Sequence, residues 1–262
     1  LFEPETSILF SMLTLAWMHN KSAGYPIGGS LRFASRIYER FLELDGQMFF
    51  RAKAKKILVK DGHAFGVETE AGEKFFGDYI ISAADGHQTI YQFLDGKYAD
   101  DRITHAFEHF KTYPSLIFIA LGVGRDLSDH PPQYVFPLNR SIEVDPTTRL
   151  EDLMVNFHHY DPTLAPEGKT LVSLMIDTYN YSYWQHLYET DEEKYEEEKR
   201  RVAEEVIAAI EDRLGDFKEH VEVIDVSTPV TFINYTNNWK GSFEGWQMTP
   251  ETGFRNLPHS LS

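Results

Sequence analysis

The chain has 262 residues, 42% hydrophobic and 14% aromatic, with 25 basic residues against 41 acidic ones, enough to bury one large core or two modest ones. A formal net charge of -16 and a pI near 5.1 argue against a nucleic-acid partner, whose phosphates are gripped by clustered Lys and Arg. With no cysteine, disulfides, thiolate metal sites and cysteine nucleophiles are excluded, and the composition leans toward a cytoplasmic location.

From Ser7 to His19 apolar residues recur at three-and-four spacing, which predicts a buried or half-buried helix. The run Ile8 to Met18 falls short of the ~20 residues a bilayer span needs, and no basic region precedes it as in a signal peptide. Without such a signal the sequons at Asn20, Asn139, Asn180 and Asn234 carry no weight. The chain opens on Leu1 and closes on "NLPHSLS" with no element to finish on, which reads as a piece of something longer.

"KSAGYPIGG" breaks the first helix. A second, Ser30 to Leu44, is expected to bury Leu31, Ala34, Ile37, Tyr38, Phe41 and Leu42 and to stop at a left-handed Gly46. Short strands follow, with turns at "DGH" and "AGE"; the last ends in "YIISAA", apolar enough for a strand covered on both faces. "HQTIYQFL" restarts a helix.

Past about residue 112, "SLIFIALGV", "QYVFPL", "DLMVNFHHY" and "KTLVSLMIDTY" predict an antiparallel sheet. "DEEKYEEEKRRVAEEVIAAIEDRLGDF" predicts a long helix with the stripe Tyr195, Val202, Val206, Ile207, Ile210 and Leu214, its charges on a solvated face. "HVEVIDVSTPVTFINYT" reads as a strand, an N-cap at Ser227 or Thr228, and a helix opened by Pro229.

Candidate chemistry is sparse. His158, His159 and Asp161 in "HHYD" have ligand chemistry, but neighbours on a strand point to opposite faces, so no metal site is expected. Ser82, Asp85, His87, Asp100, Asp101 and His105 lie close in sequence without a Gly-X-Ser-X-Gly elbow. No Gly-X-Gly-X-X-Gly or Walker turn occurs, and "LGVGRDLSDH" lacks the third glycine. Aromatic residues crowd the second region: Tyr113, Phe118, Tyr134, Phe136, Phe157, Tyr160, Tyr179, Tyr181, Tyr183 and Trp184, with Tyr25 before them. Such residues on strands are more often ordinary core; as a second reading they fit one wall of an apolar pocket.

The stretch "AGYPIGGSLRFASRIYERFLELDGQMFFRAKAKKILVKDGHAFGVETEAGEKFFGDYIISAAD" resembles the flavin-dependent phytoene desaturase, carotenoid isomerase and retinol saturase family, within the amine oxidase-like flavoproteins; "DVSTPVTFINYTNNWKGSFEGW" resembles that family's late Thr-Pro helix and Gly-rich turn. The resemblance implies an α/β protein in which an α+β substrate domain, with mixed and antiparallel sheet flanked by helices, is inserted in an FAD-binding, Rossmann-like domain. It divides the chain into a substrate-domain helix (1–21), a partial FAD-binding domain (22–95), a substrate-binding domain (96–219) and a return segment (220–262). Implied cofactor contacts are Gly28 and Gly29, where absent side chains permit close backbone approach, and the backbone of Ala54, Ala83 and Ala84. Tyr25, Phe118 and Tyr134 are the expected substrate contacts; the catalytic residue is unassigned, hydride chemistry belonging to the flavin.

The implied activity is oxidation, reduction or isomerisation of C–C bonds in an apolar, polyene-like small molecule. Two alternatives stand beside it: a flavin amine oxidase using an aromatic cage, and a non-catalytic apolar-ligand-binding domain. The pyrophosphate turn and the carboxy-terminal Gly-rich segment of the family are missing from the sequence, so this chain alone is expected to bind FAD weakly or not at all and to be inactive. Apolar substrates reside in bilayers, which allows peripheral membrane contact. Oligomeric state is not legible.

Overall fold

The computed structural model describes residues 8–21, 24–250 and 252; Ser7, at the expected start of the first helix, and the terminal "NLPHSLS" lie outside them. Helices α1 (Ile8–His19) and α2 (Gly29–Glu43) lead into strands β1 (Ala54–Lys60), β2 (His63–Thr69) and β3 (Lys74–Phe76). A π-helical turn, Gln88–Phe93, and helix α3 (Asp101–His109) follow. Next come β4 (Ser115–Val123), β5 (Gln133–Asp145), β6 (Thr148–Phe157) and β7 (Thr170–Thr178), then α4 (Tyr181–Thr190), α5 (Glu192–Leu214), β8 (Val221–Ser227) and α6 (Pro229–Thr236).

Strands β1-β2-β3 form a small antiparallel sheet. Its first hairpin turns on Asp61 and Gly62, at φ 52° and 76°, the positive-φ pair whose twist matches flanking strands. The larger sheet has the order β5-β6-β7-β4-β8, and every described pair in it is antiparallel.

Cross-strand partners share a face, so the register sorts the larger sheet. Ile117, Ile119, Leu121, Leu153, Val155, Phe157, Val172, Leu174 and Ile176 look one way and join Trp184 of α4 and Val202, Val206, Ile207 and Ile210 of α5 in one buried core. Each such side chain contributes roughly 1.5–3 kcal/mol when fully buried. Asp191 opens α5 by accepting the Lys194 N–H at 3.0 Å. Thr228 opens α6 in a reciprocal box with Thr231, with Pro229 in the first turn.

Three expectations are corrected. The apolar faces of α1 and α2 are exposed, with Ile8 at 78% and Leu31 at 80%, because no described element lies over them. The left-handed residue after α2 is Asp45, not Gly46; Gly46 is instead where the Phe41 ring lies against the backbone, 2.5 Å from where a Cβ would sit. Tyr79–Ala84 is not a strand: no described strand pairs with it, and Tyr79 and Ile81 are exposed. The helix expected after it is present and is of π type, with the Leu94 N–H donating to Thr89 O. No described helix is long and apolar enough to cross a membrane.

Candidate functional site

The larger sheet has a second face. Gln133 and Val135 of β5, Met154 and Asn156 of β6, Ser173 and Met175 of β7, and Phe118 and Ala120 of β4 are register partners pointing away from the helices. Val135 and Met175 are exposed and Phe118 half-buried. No described helix covers this face.

At one corner the loop between α1 and α2 reaches it. The Gly28 N–H donates to Asp161 Oδ2 at 2.7 Å, and Asp161 Oδ1 also accepts from the Thr163 N–H and hydroxyl at 2.9 and 2.6 Å. These bonds, led by the Thr163 hydroxyl, hold the Asp161 carboxyl below the usual carboxylate range against the opposing effect of burial. Tyr25 stacks on Tyr160, centroids 5.8 Å apart, and meets His158 edge-on at 6.4 Å. His158 Nε2 lies 2.7 Å from Ser173 Oγ and Nδ1 lies 3.0 Å from the Tyr160 hydroxyl. Burial pushes the His158 pKa down, opposed by the Asp161 charge, and pushes the Tyr160 phenol up. Together Tyr25, Pro132, Gln133, Asn156, His158 and Tyr160 line a pocket of about 310 Å³.

Two of the three expected substrate contacts therefore lie on the open side: Tyr25 in the pocket wall and Phe118 on the face beside it. Tyr134 does not. Its register partner is the fully buried Val155, and its hydroxyl accepts from Arg213 of α5 at 2.9 and 2.7 Å, on the helix side. Among the other aromatics, Phe136, Phe157 and Trp184 are core. "HHYD" is not on a strand, since β6 ends at Phe157; the two histidines part because His159 Nε2 turns to His130 O.

The remaining polar candidates are dispersed. Asp85 accepts the Gln88 N–H, Ser82 pairs with Thr89, His87 stacks on Trp239 at 3.6 Å, Asp100 accepts the Ile103 N–H, and His105 stacks on His109. Among the described residues, Asp216, Glu219 and His220 bring three metal-capable side chains within 4.8 Å of one another. They sit at the surface after α5, far in sequence from the pocket.

Gly28 and Gly29 have φ 95° and 74°, and a Cβ on them would approach the Arg32 side chain at 2.9 Å and Leu164 at 3.2 Å. Of the amides at the start of α2, which an anion could otherwise use, that of Gly28 is taken by Asp161 and that of Gly29 by the Pro26 carbonyl. What the described residues offer a flavin is thus backbone: the Gly-Gly loop, the start of β1 at Ala54, and the exposed, strand-free Ala83 and Ala84. Asp161, Asn156 and Ser173 were not singled out by sequence reasoning as parts of a pocket, because each acts through partners distant in sequence.

A family model described as flavin containing amine oxidoreductase matches residues 7–258. Prolycopene isomerase 2, chloroplastic, from an Oncidium hybrid cultivar is 26% identical over 267 residues, covering 98% of this chain and 43% of that protein. Prolycopene isomerase, chloroplastic, from Daucus carota is 26% identical over 268 residues, covering 98% and 42%. The chain thus spans well under half the length of the curated relatives it matches. Among solved structures, an oxidoreductase from Methanosarcina mazei superposes with a TM-score of 0.55 at 18% identity, over 78% of this chain and 43% of that one, a likeness of fold.

Proposed function

This chain belongs to the flavin containing amine oxidoreductase family, and from that premise we propose that it forms the substrate-binding part of an FAD-dependent oxidoreductase acting on C–C bonds of an apolar, polyene-like molecule, by desaturation, saturation or isomerisation. The observation that carries the reading is the uncovered sheet face, where Phe118, Met154, Met175 and Val135 lie beside the pocket under the Gly-Gly loop. The similarity to prolycopene isomerases supports it.

On this reading residues 96–219 are the substrate-binding domain, 1–21 its additional helix, and 22–95 and 220–262 portions of an FAD-binding domain. The exposed apolar faces of α1 and α2 then pack on the rest of that flavoenzyme. The flavin supplies hydride chemistry; this chain's residues hold and orient the substrate and keep water from it. Gly28, Gly29, Ala54, Ala83 and Ala84 approach the cofactor through their backbone, and Tyr25 and Phe118 touch the substrate. The enzyme is cytoplasmic on this reading, drawing its substrate from a membrane surface.

An amine substrate is less well supported. Tyr25 and Tyr160 stack on each other, so their faces leave no slot for an ammonium group between them. The test is a substrate screen of the whole flavoenzyme, following flavin absorbance and product formation with a long polyene and with primary amines. Turnover of the polyene is expected; turnover of amines alone, or a colourless protein that takes up no FAD, would overturn the proposal.

A further inference from the structure

The pocket at the corner of the open face contains a hydrogen-bonded chain that an apolar surface by itself does not require. Ser173, only 6% exposed, meets His158 Nε2 at 2.7 Å, and His158 Nδ1 meets the Tyr160 hydroxyl at 3.0 Å. A neutral imidazole has one donor and one acceptor nitrogen, so the chain is polarised one of two ways. When Tyr160 donates to Nδ1, Nε2–H donates to Ser173 and the phenol oxygen offers its lone pairs outward. When Ser173 donates to Nε2, Nδ1–H donates to Tyr160 and the phenol O–H is free to donate. One exchange of tautomer therefore suits a hydroxyl or a carbonyl.

The neighbouring groups narrow the ligand. Gln133 Nε2 donates to Asn156 Oδ1 at 3.0 Å and Asn156 Nδ2 to Ser173 O at 3.4 Å, so each of these amides has one N–H already engaged. Of the two phenols in the lining, Tyr25 and Tyr160, Tyr160, 37% exposed, is the one joined to the His158–Ser173 chain. The lining contains no Lys, Arg, Asp or Glu, and the nearby Asp161 is buried with its carboxylate engaged. A charged ligand group would find no counter-charge there, and an unpaired charge is costly to desolvate. Beyond the pocket the same face continues through Met154, Met175 and Phe118.

We propose that the Ser173–His158–Tyr160 chain is a specificity-determining anchor, binding an uncharged oxygen function, a hydroxyl or carbonyl, at one end of an otherwise apolar ligand laid on the open sheet face. This rests on the apolar-substrate reading above and narrows it.

The test titrates the 262-residue chain with decanol, decanal, decane and decanoate, each displacing an apolar fluorescent dye. Decanol and decanal are expected to bind about tenfold more tightly than decane, the size of one net hydrogen bond, with decanoate no better than the alkane. Tyr160→Phe should bring the affinities of alcohol and aldehyde down to that of the alkane, and His158→Phe should do the same by a second route. Equal binding of alcohol, aldehyde and alkane, or a preference that survives Tyr160→Phe, overturns the anchor and leaves the apolar reading standing. Failure of every compound to displace the dye overturns both.

Discussion

The Asp161 carboxylate accepts the backbone N–H of Gly28 at 2.7 Å, joining positions 133 residues apart. It is a charge-assisted bond at a helix start, where the macrodipole favours a negative group. Through it the loop bearing Tyr25 is fixed to the end of β6 and thereby to the pocket. Asp161→Ala should remove the hydrogen-exchange protection of the Gly28 amide while leaving the amides of β4 and β7 protected. Unchanged protection at Gly28 would mean that packing alone holds the loop. Because the native Asp161 pKa lies below its unfolded value, its contribution is present above the ordinary value of about 3.9 and is lost as pH falls through the lower native value. Acid should therefore release the loop.

Asp145 gives a second acid-sensitive point. It is 5% exposed; burial pushes its pKa up, but the Thr178 hydroxyl at 2.7 Å and the Thr147 amide and hydroxyl at 2.9 and 3.0 Å outweigh that and leave it lowered. Its stabilisation is thus present above about 3.9 and lost below. Thr178→Val keeps the shape and removes the strongest donor. It should cost about 1–3 kcal/mol at neutral pH and move the acid unfolding midpoint to higher pH, both measurable by circular dichroism with urea and with acid.

What the sequence revealed follows how local each cause is. The stripe of α5, the Asp61–Gly62 turn and the Thr228–Pro229 helix start depend on neighbours a few residues away, and all were legible. The exposure of α1 and α2 was not, because a helical stripe says that a face is apolar without saying what covers it. Tyr79–Ala84 has a strand's composition, yet a strand exists only with a partner. Within the site, Tyr25, Gly28 and Phe118 were legible as types, whereas the facing of Tyr134 depended on register, and one residue of slip reverses every side chain. The His158–Ser173 and Gly28–Asp161 contacts join positions distant in sequence and left no local signal.

Gly241 tests a backbone constraint between α6 and β4. Its φ is 66°, and a Cβ there would lie 2.8 Å from Ser115 Oγ and 3.2 Å from Pro229 O. Gly241→Ala should destabilise by at least about 1–2 kcal/mol from the left-handed conformation alone, read from the urea midpoint. Adding Ser115→Ala should not restore stability, because the conformation and the Pro229 carbonyl remain. Full rescue would mean the hydroxyl contact was the whole cause.

The two faces of the larger sheet make opposite predictions for two aromatic residues. Tyr134 binds Arg213 on the helix side, with the guanidinium 5.4 Å from its ring centroid, whereas Phe118 pairs with Met175 on the open side. Tyr134→Phe removes a hydroxyl that accepts two hydrogen bonds from a partly exposed arginine, and should cost about 0.5–1.5 kcal/mol of stability with no change in the affinity of an apolar ligand. Phe118→Ser, at a half-buried position without a helix over it, should weaken apolar ligand binding severalfold while shifting the urea midpoint little. Dye displacement and urea unfolding on the same two variants separate these effects. If Tyr134→Phe weakened the ligand and Phe118→Ser did not, the binding surface would lie on the helix side, and the open face would have to serve another purpose.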